Sequence, residues 1–108
     1  MDELYVHLFH ILFVGGLFLY IGIKQTNINK NIFIVLSVLG LSIIGYHIYR
    51  YFNGGMKWVN LIHIFIIGPL LVYIGFTKEK TSRKFFEILL MLGFASIGYH
   101  AYYLFFNI

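Results

Sequence analysis

Residues 4–23, LYVHLFHILFVGGLFLYIGI, hold no Asp, Glu, Lys or Arg. They match the length of about 20 residues that an α-helix needs to cross the roughly 30 Å hydrocarbon layer of a bilayer. Residues 58–76, WVNLIHIFIIGPLLVYIGF, repeat the reading in the same order. His10, Ile11, Gly15, Leu17, Tyr20, Ile21 and Gly22 return as His63, Ile64, Gly68, Leu70, Tyr73, Ile74 and Gly75, about 53 residues later.

Two further apolar stretches, 32–52 and 85–106, are related by the same interval. Leu36, Leu39, Gly40, Ile44, Gly45, Tyr46, His47 and Tyr49 match Leu89, Leu92, Gly93, Ile97, Gly98, Tyr99, His100 and Tyr102. The chain therefore reads as one integral membrane domain, 1–108, made of two tandem copies at about 4–53 and 57–106, with spans 4–23, 32–52, 58–76 and 85–106. The expected fold is all-α: a four-helix transmembrane bundle of two duplicated helical hairpins. Two copies with an even number of spans run parallel, so the pseudo-twofold axis should stand along the membrane normal.

Composition excludes the alternatives. Of 108 residues, 60% are hydrophobic and only 11% charged, against about 25% charged in soluble domains. Helices apolar all round have no solvent face, and strands would alternate and, in a membrane barrel, be shorter. Asp2 and Glu3 stand where a cleavable signal has basic residues, so the first span is expected to persist in the mature protein. The chain has no cysteine, which removes disulfides, thiolate ligands and iron–sulfur clusters.

The net charge of +4 comes from bases beside the spans, where lipid headgroups and topology account for them and nucleic acid is not an expected partner. Lys24 and Lys30 flank the first loop, and Lys78, Lys80, Arg83 and Lys84 crowd the third, against only Arg50 and Lys57 on the other side. The positive-inside rule puts loops 24–31 and 77–84 in the cytoplasm, with both termini and the 53–57 loop outside. Glu87, the one acid within a span, follows Arg83 at i,i+4 and is expected to pair with it.

The candidate site is a ring of four histidines, His10, His47, His63 and His100, one per span and all expected at one level about 8 Å inside the apolar boundary. At 100° per residue, Leu36, Gly40 and His47 share a stripe on the second span, repeated by Leu89, Gly93 and His100 on the fourth. On the first span, Val6, His10, Leu17 and Ile21 make one stripe, and Ile11, Gly15 and Gly22 another about 120° away. The histidine stripe is expected to face the bundle centre and the glycine stripe to admit a neighbouring backbone. Gly15, Gly22, Gly40, Gly45, Gly68, Gly75, Gly93 and Gly98 are thus read as close-packing positions or room for a cofactor. Gly15-Gly16 becomes Gly68-Pro69, and Pro69 should bend the third span by freeing the carbonyl of Phe65.

Ionisable groups inside a membrane point to function when they converge. Four imidazoles could relay protons with coupled titration, bind a divalent transition metal such as zinc or copper, or ligate haem b, with Gly40 and Gly93 as room for the macrocycle. Tyr46, Tyr49, Tyr99 and Tyr102 would support them, and His7, three residues before His10 but replaced by Asn60 in the other copy, would be accessory. Proton or metal-ion handling, channel or carrier-like, ranks first, ahead of haem or copper electron transfer. A structural subunit, held by its glycine stripes in a homo-oligomer or a larger membrane complex, is the remaining reading, with the rings simply pinning helices. No Ser-His-Asp set, intramembrane histidine–carboxylate pair or HExxH motif supports an enzyme.

Overall fold

The computed structural model describes residues 3–54 and 57–106, and among them every regular element is helical. Four helices are long and apolar enough to cross a membrane: Leu4–Lys24, Lys30–Phe52, Trp58–Lys80 and Arg83–Phe106. Each reaches into the charged flank of the apolar run, because helix ends are set by caps and not by hydropathy. The second begins at Asn29, whose side chain accepts a hydrogen bond from the Asn31 amide at 2.9 Å. The first stops where Gln25 turns to positive φ, 55°, and the α-helical part of the third ends where Lys78 does so at 52°, passing into a 3-10 turn at Lys78–Lys80, while the amides of Gln25 and Lys78 still donate to Ile21 and Ile74. The expected Arg83–Glu87 pair forms at 3.4 Å on an exposed surface.

The chain divides into two compact units. One joins the first and fourth long helices, here the terminal pair, and the other joins the second and third, the central pair. These units do not coincide with the sequence repeats. Each combines the leading helix of one copy with the trailing helix of the other, so both contain the same two kinds of helix.

Within each pair the helices run antiparallel and meet through glycines. In the terminal pair Gly15 lies on Ile97, Gly22 on Leu90, and Gly93 on Phe18 and Leu19. In the central pair Gly68 lies on Ile44, Gly75 on Phe33 and Ser37, and Gly40 on Leu71, Val72 and the carbonyl of Gly68. A Cβ at Gly22 would come within 2.7 Å of the Leu90 Cβ, and one at Gly40 within 2.8 Å of the Gly68 oxygen. Such proximity gives close dispersion contact between the two helices. Gly45 and Gly98 do not share this role: nothing lies within 4 Å of the place a Cβ would take. Their repetition had suggested packing, but they sit on faces turned away from the seam.

The leading helices are not continuous α-helices. A π-turn occupies His10–Val14 in the first and His63–Ile67 in the third, closed by Gly15 and Gly68 amides donating to the carbonyls of His10 and His63. The turn occurs whether Gly16 or Pro69 follows, so the proline is not its cause. The trailing helices, Lys30–Phe52 and Arg83–Phe106, are uninterrupted.

Candidate functional site: paired histidines at two helix seams

The π-turns determine where the leading histidines point. One extra residue in a turn rotates the preceding segment by about 100° relative to a straight helix. On a straight helix His10 would lie about 140° from Gly15, but across the π-turn the two come within about 40°. The histidine stripe and glycine stripe of the sequence reading therefore merge into one face. His10 joins Gly15 and Gly22 against the fourth helix, and His63 joins Gly68 and Gly75 against the second. The trailing histidines need no such device, since Phe33, Gly40 and His47, like Phe86, Gly93 and His100, recur at seven-residue steps along one face.

The outcome is a stacked imidazole pair in each unit. His10 and His100 have ring centroids 4.2 Å apart with planes 22° from parallel. His47 and His63 stack at 4.0 Å and 23°. His10 Nδ1 donates to the Val6 carbonyl at 2.7 Å, and His63 Nδ1 to the Val59 carbonyl at 2.7 Å. A carbonyl only accepts, so Nδ1 carries a hydrogen in both rings and, in the neutral form, Nε2 holds the lone pair.

The residue one turn earlier on the leading helix completes each group. His7 Nδ1 lies 2.9 Å from His100 Nδ1. In the central pair Asn60 takes the same place, with Oδ1 2.9 Å from His47 Nδ1. The sequence reading made His7 accessory and gave Asn60 no part, yet both hold the Nδ1 of the trailing histidine. The available signal was that His7 and Asn60 each precede the leading histidine by three residues, a one-turn spacing. Asn60 is 2% exposed, and its Nδ2 has no hydrogen-bond partner.

The tyrosines stand around these groups in a different way from that expected. Tyr46 and Tyr99 present ring edges to the adjacent His47 and His100, at 5.2 and 5.1 Å. The Tyr46 hydroxyl accepts from Arg50 at 3.4 Å, and Tyr49 and Tyr102 are exposed. Tyr103, which occupies the place of Arg50 in the second copy, stacks on His7 at 6.3 Å.

This geometry bears on metal and haem. Imidazole lone pairs lie in the ring plane, and two planes so nearly parallel meet far beyond the about 2 Å of a zinc–nitrogen bond. Neither stacked pair converges on a shared ion, nor do its rings stand on opposite sides of a haem iron. Among the described residues no three His, Asp or Glu side chains are placed to hold a metal ion. The room that Gly40 and Gly93 were expected to leave for a macrocycle is filled by Leu71 and Val72 and by Phe18 and Leu19. What stacked, hydrogen-bonded rings can do is accept, hold and release protons. No known family, curated protein or solved structure matches the chain, so the geometry alone carries the functional reading.

Proposed function

We propose that this chain is a four-span integral membrane protein, descended from a duplicated two-span precursor, that binds and moves protons on two intramembrane histidine pairs. The observation that carries the reading is the stacked pair itself, found in both units at the same positions of the repeat and each placed by a π-turn. Short π segments are rare and concentrate at functional sites. Duplication is supported by the recurrence of local structure as well as sequence, down to the positive φ at Gln25 and Lys78. Membrane insertion is supported by the length and hydropathy of the four helices. Loop charges favour an orientation with the 24–31 and 77–84 loops in the cytoplasm and the histidine ends of the helices toward the outer face.

The mode is carrier-like and not a standing pore. Beyond the histidines, Phe18, Ile21, Phe86 and Leu89 in the terminal pair are fully buried, as are Phe33, Leu36, Leu71 and Ile74 in the central pair. In the central seam the Ser37 hydroxyl lies among them but donates to the Phe33 carbonyl of its own helix, and the other side chains named are apolar, so transfer past them requires the helices to shift.

Purified protein in liposomes with a trapped pH dye tests this. An imposed acid pulse should drive internal acidification that saturates with proton concentration. The His10→Ala, His63→Ala double variant should slow it by about tenfold or more, with helix content unchanged by circular dichroism. Acidification no faster than in protein-free liposomes would overturn the proposal.

A further inference from the structure

The two histidine groups differ at the residue facing the trailing histidine, and that difference is chemical. His7 and His100 face one another through nitrogen atoms 2.9 Å apart, an N–H···N hydrogen bond in which one ring donates and the other accepts. Either ring can take either role. Asn60, in the matching place, presents an amide oxygen to the His47 N–H and does not ionise near neutral pH.

We infer that protons cross between helices in the terminal pair alone, through His7 and His100, while Asn60 fixes the His47 tautomer and makes the central pair a site that holds a proton without passing it across. This rests on the proton-handling function proposed above. In the transfer, protonated His7 gives its Nδ1 hydrogen to the lone pair of His100 Nδ1. The N–H bond at His7 breaks, one forms at His100, and the positive charge moves from the first helix to the fourth. His7 is left neutral with its hydrogen on Nε2 and is ready to accept another proton at Nδ1 after release from His100. No oxidant, metal or second substrate is involved.

Ionisable groups also surround this contact. His10 stacks on His100 from the first helix, and Tyr103 stacks on His7 from the fourth, with Tyr99 against Tyr103 at 4.8 Å. His7 and Tyr103 lie nearly parallel, 12° apart, which keeps the His7 ring oriented toward the fourth helix. In the central pair Arg50 stands where Tyr103 does, engaged with Tyr46 through its hydroxyl and ring face. The terminal pair therefore holds three imidazoles in contact and the central pair two.

The repeat supplies the test, because each unit contains the residue that the other lacks. His7→Asn gives the terminal pair the central arrangement, a side chain the scaffold already accommodates at Asn60. Asn60→His does the reverse. In acid-pulsed liposomes, His7→Asn should slow proton uptake by about tenfold or more, and Asn60→His in that background should restore part of it. Histidine-selective nitrogen-15 spectra in bilayers give a readout independent of flux. His7 and His100 should show coupling across one shared hydrogen, and His7→Asn should abolish it, with the His47 signals unchanged. If wild-type liposomes take up no protons, the proposed function fails and this inference falls with it. If they take up protons and His7→Asn matches wild type, or if His7 and His100 share no hydrogen, this inference alone is overturned.

Discussion

The terminal and central pairs are built from the same parts but place a different polar side chain against the trailing histidine. Both cross a leading helix with a π-turn against a straight trailing helix, both pack glycine on the opposing helix, and both stack two imidazoles about 4 Å apart. Among the positions at which they part are His7 against Asn60, Tyr103 against Arg50, Gly16 against Pro69, and Leu90 against Ser37 under the seam glycine. Stacking persists through all of these exchanges. The π-turn and the glycine contacts therefore set the histidine geometry, while the third polar residue is where the proposed handling of a proton would diverge.

That comparison can be broken most severely at the seam glycines. Gly75→Leu and Gly22→Leu would drive a side chain into Phe33 and Ser37 or into Leu90, and each should cost about 3 kcal/mol or more of helix-pair stability, read by resistance to unfolding in detergent. Gly98→Ala is the control: with nothing within 4 Å, it should be neutral or stabilising by up to about 1 kcal/mol, since alanine favours a helix interior.

Removing one residue from a π-turn is the next most severe change. Deleting Leu12 should restore a continuous α-helix, turn His10 and His7 about 100° off the seam, and abolish the stacked pair while leaving helix content intact. Proton uptake should fall to the level of the His10→Ala, His63→Ala variant.

Exchanges at the third position should be milder in stability and sharper in function. Asn60→Leu removes the amide oxygen that accepts from His47 and should cost about 1–2 kcal/mol, because a part-buried hydrogen bond is lost. His7→Asn should change stability by less than about 0.5 kcal/mol, since it reproduces a pairing the protein already makes. A result in which Asn60→Leu is neutral would show that the His47 contact does not hold that pair.

The smallest effect belongs to a feature the two copies share. Gln25 adopts φ 55°, a region that disfavours any side chain, and Gln25→Gly should stabilise by about 1 kcal/mol. Lys78 offers the same test in the second copy.

The limits of the sequence reading follow from the same contrast between helices. The four long helices, their apolar character and the trailing stripes of Leu36, Gly40 and His47 or Leu89, Gly93 and His100 could be read directly, because those helices are uninterrupted and the 100° rule applies along their whole length. The leading helices defeated it. A π-turn adds one residue to a turn without any strong residue signature, so the angle between His10 and Gly15 was wrong by about 100°, and one face appeared as two. A trace was present: the polar pairs His7 with His10 and Asn60 with His63 fall one residue out of step with the spacing of Gly15, Phe18 and Gly22. Gly45 and Gly98 misled for a different reason, since identity between the two repeats need not mark a contact. The pairing of first helix with fourth could not be read either, because an internal repeat does not state which copies of its helices meet.

The absence of cysteine from the chain makes disulfide trapping the most direct test of the central claim, that a π-turn aims each leading histidine at its trailing partner. Paired substitutions His10→Cys with His100→Cys, and His63→Cys with His47→Cys, should cross-link rapidly under mild oxidation in native membranes. Ile11→Cys with His100→Cys should not. Efficient cross-linking through position 11 and none through position 10 would contradict the account, because it would mean that the first helix is straight and its histidine faces elsewhere.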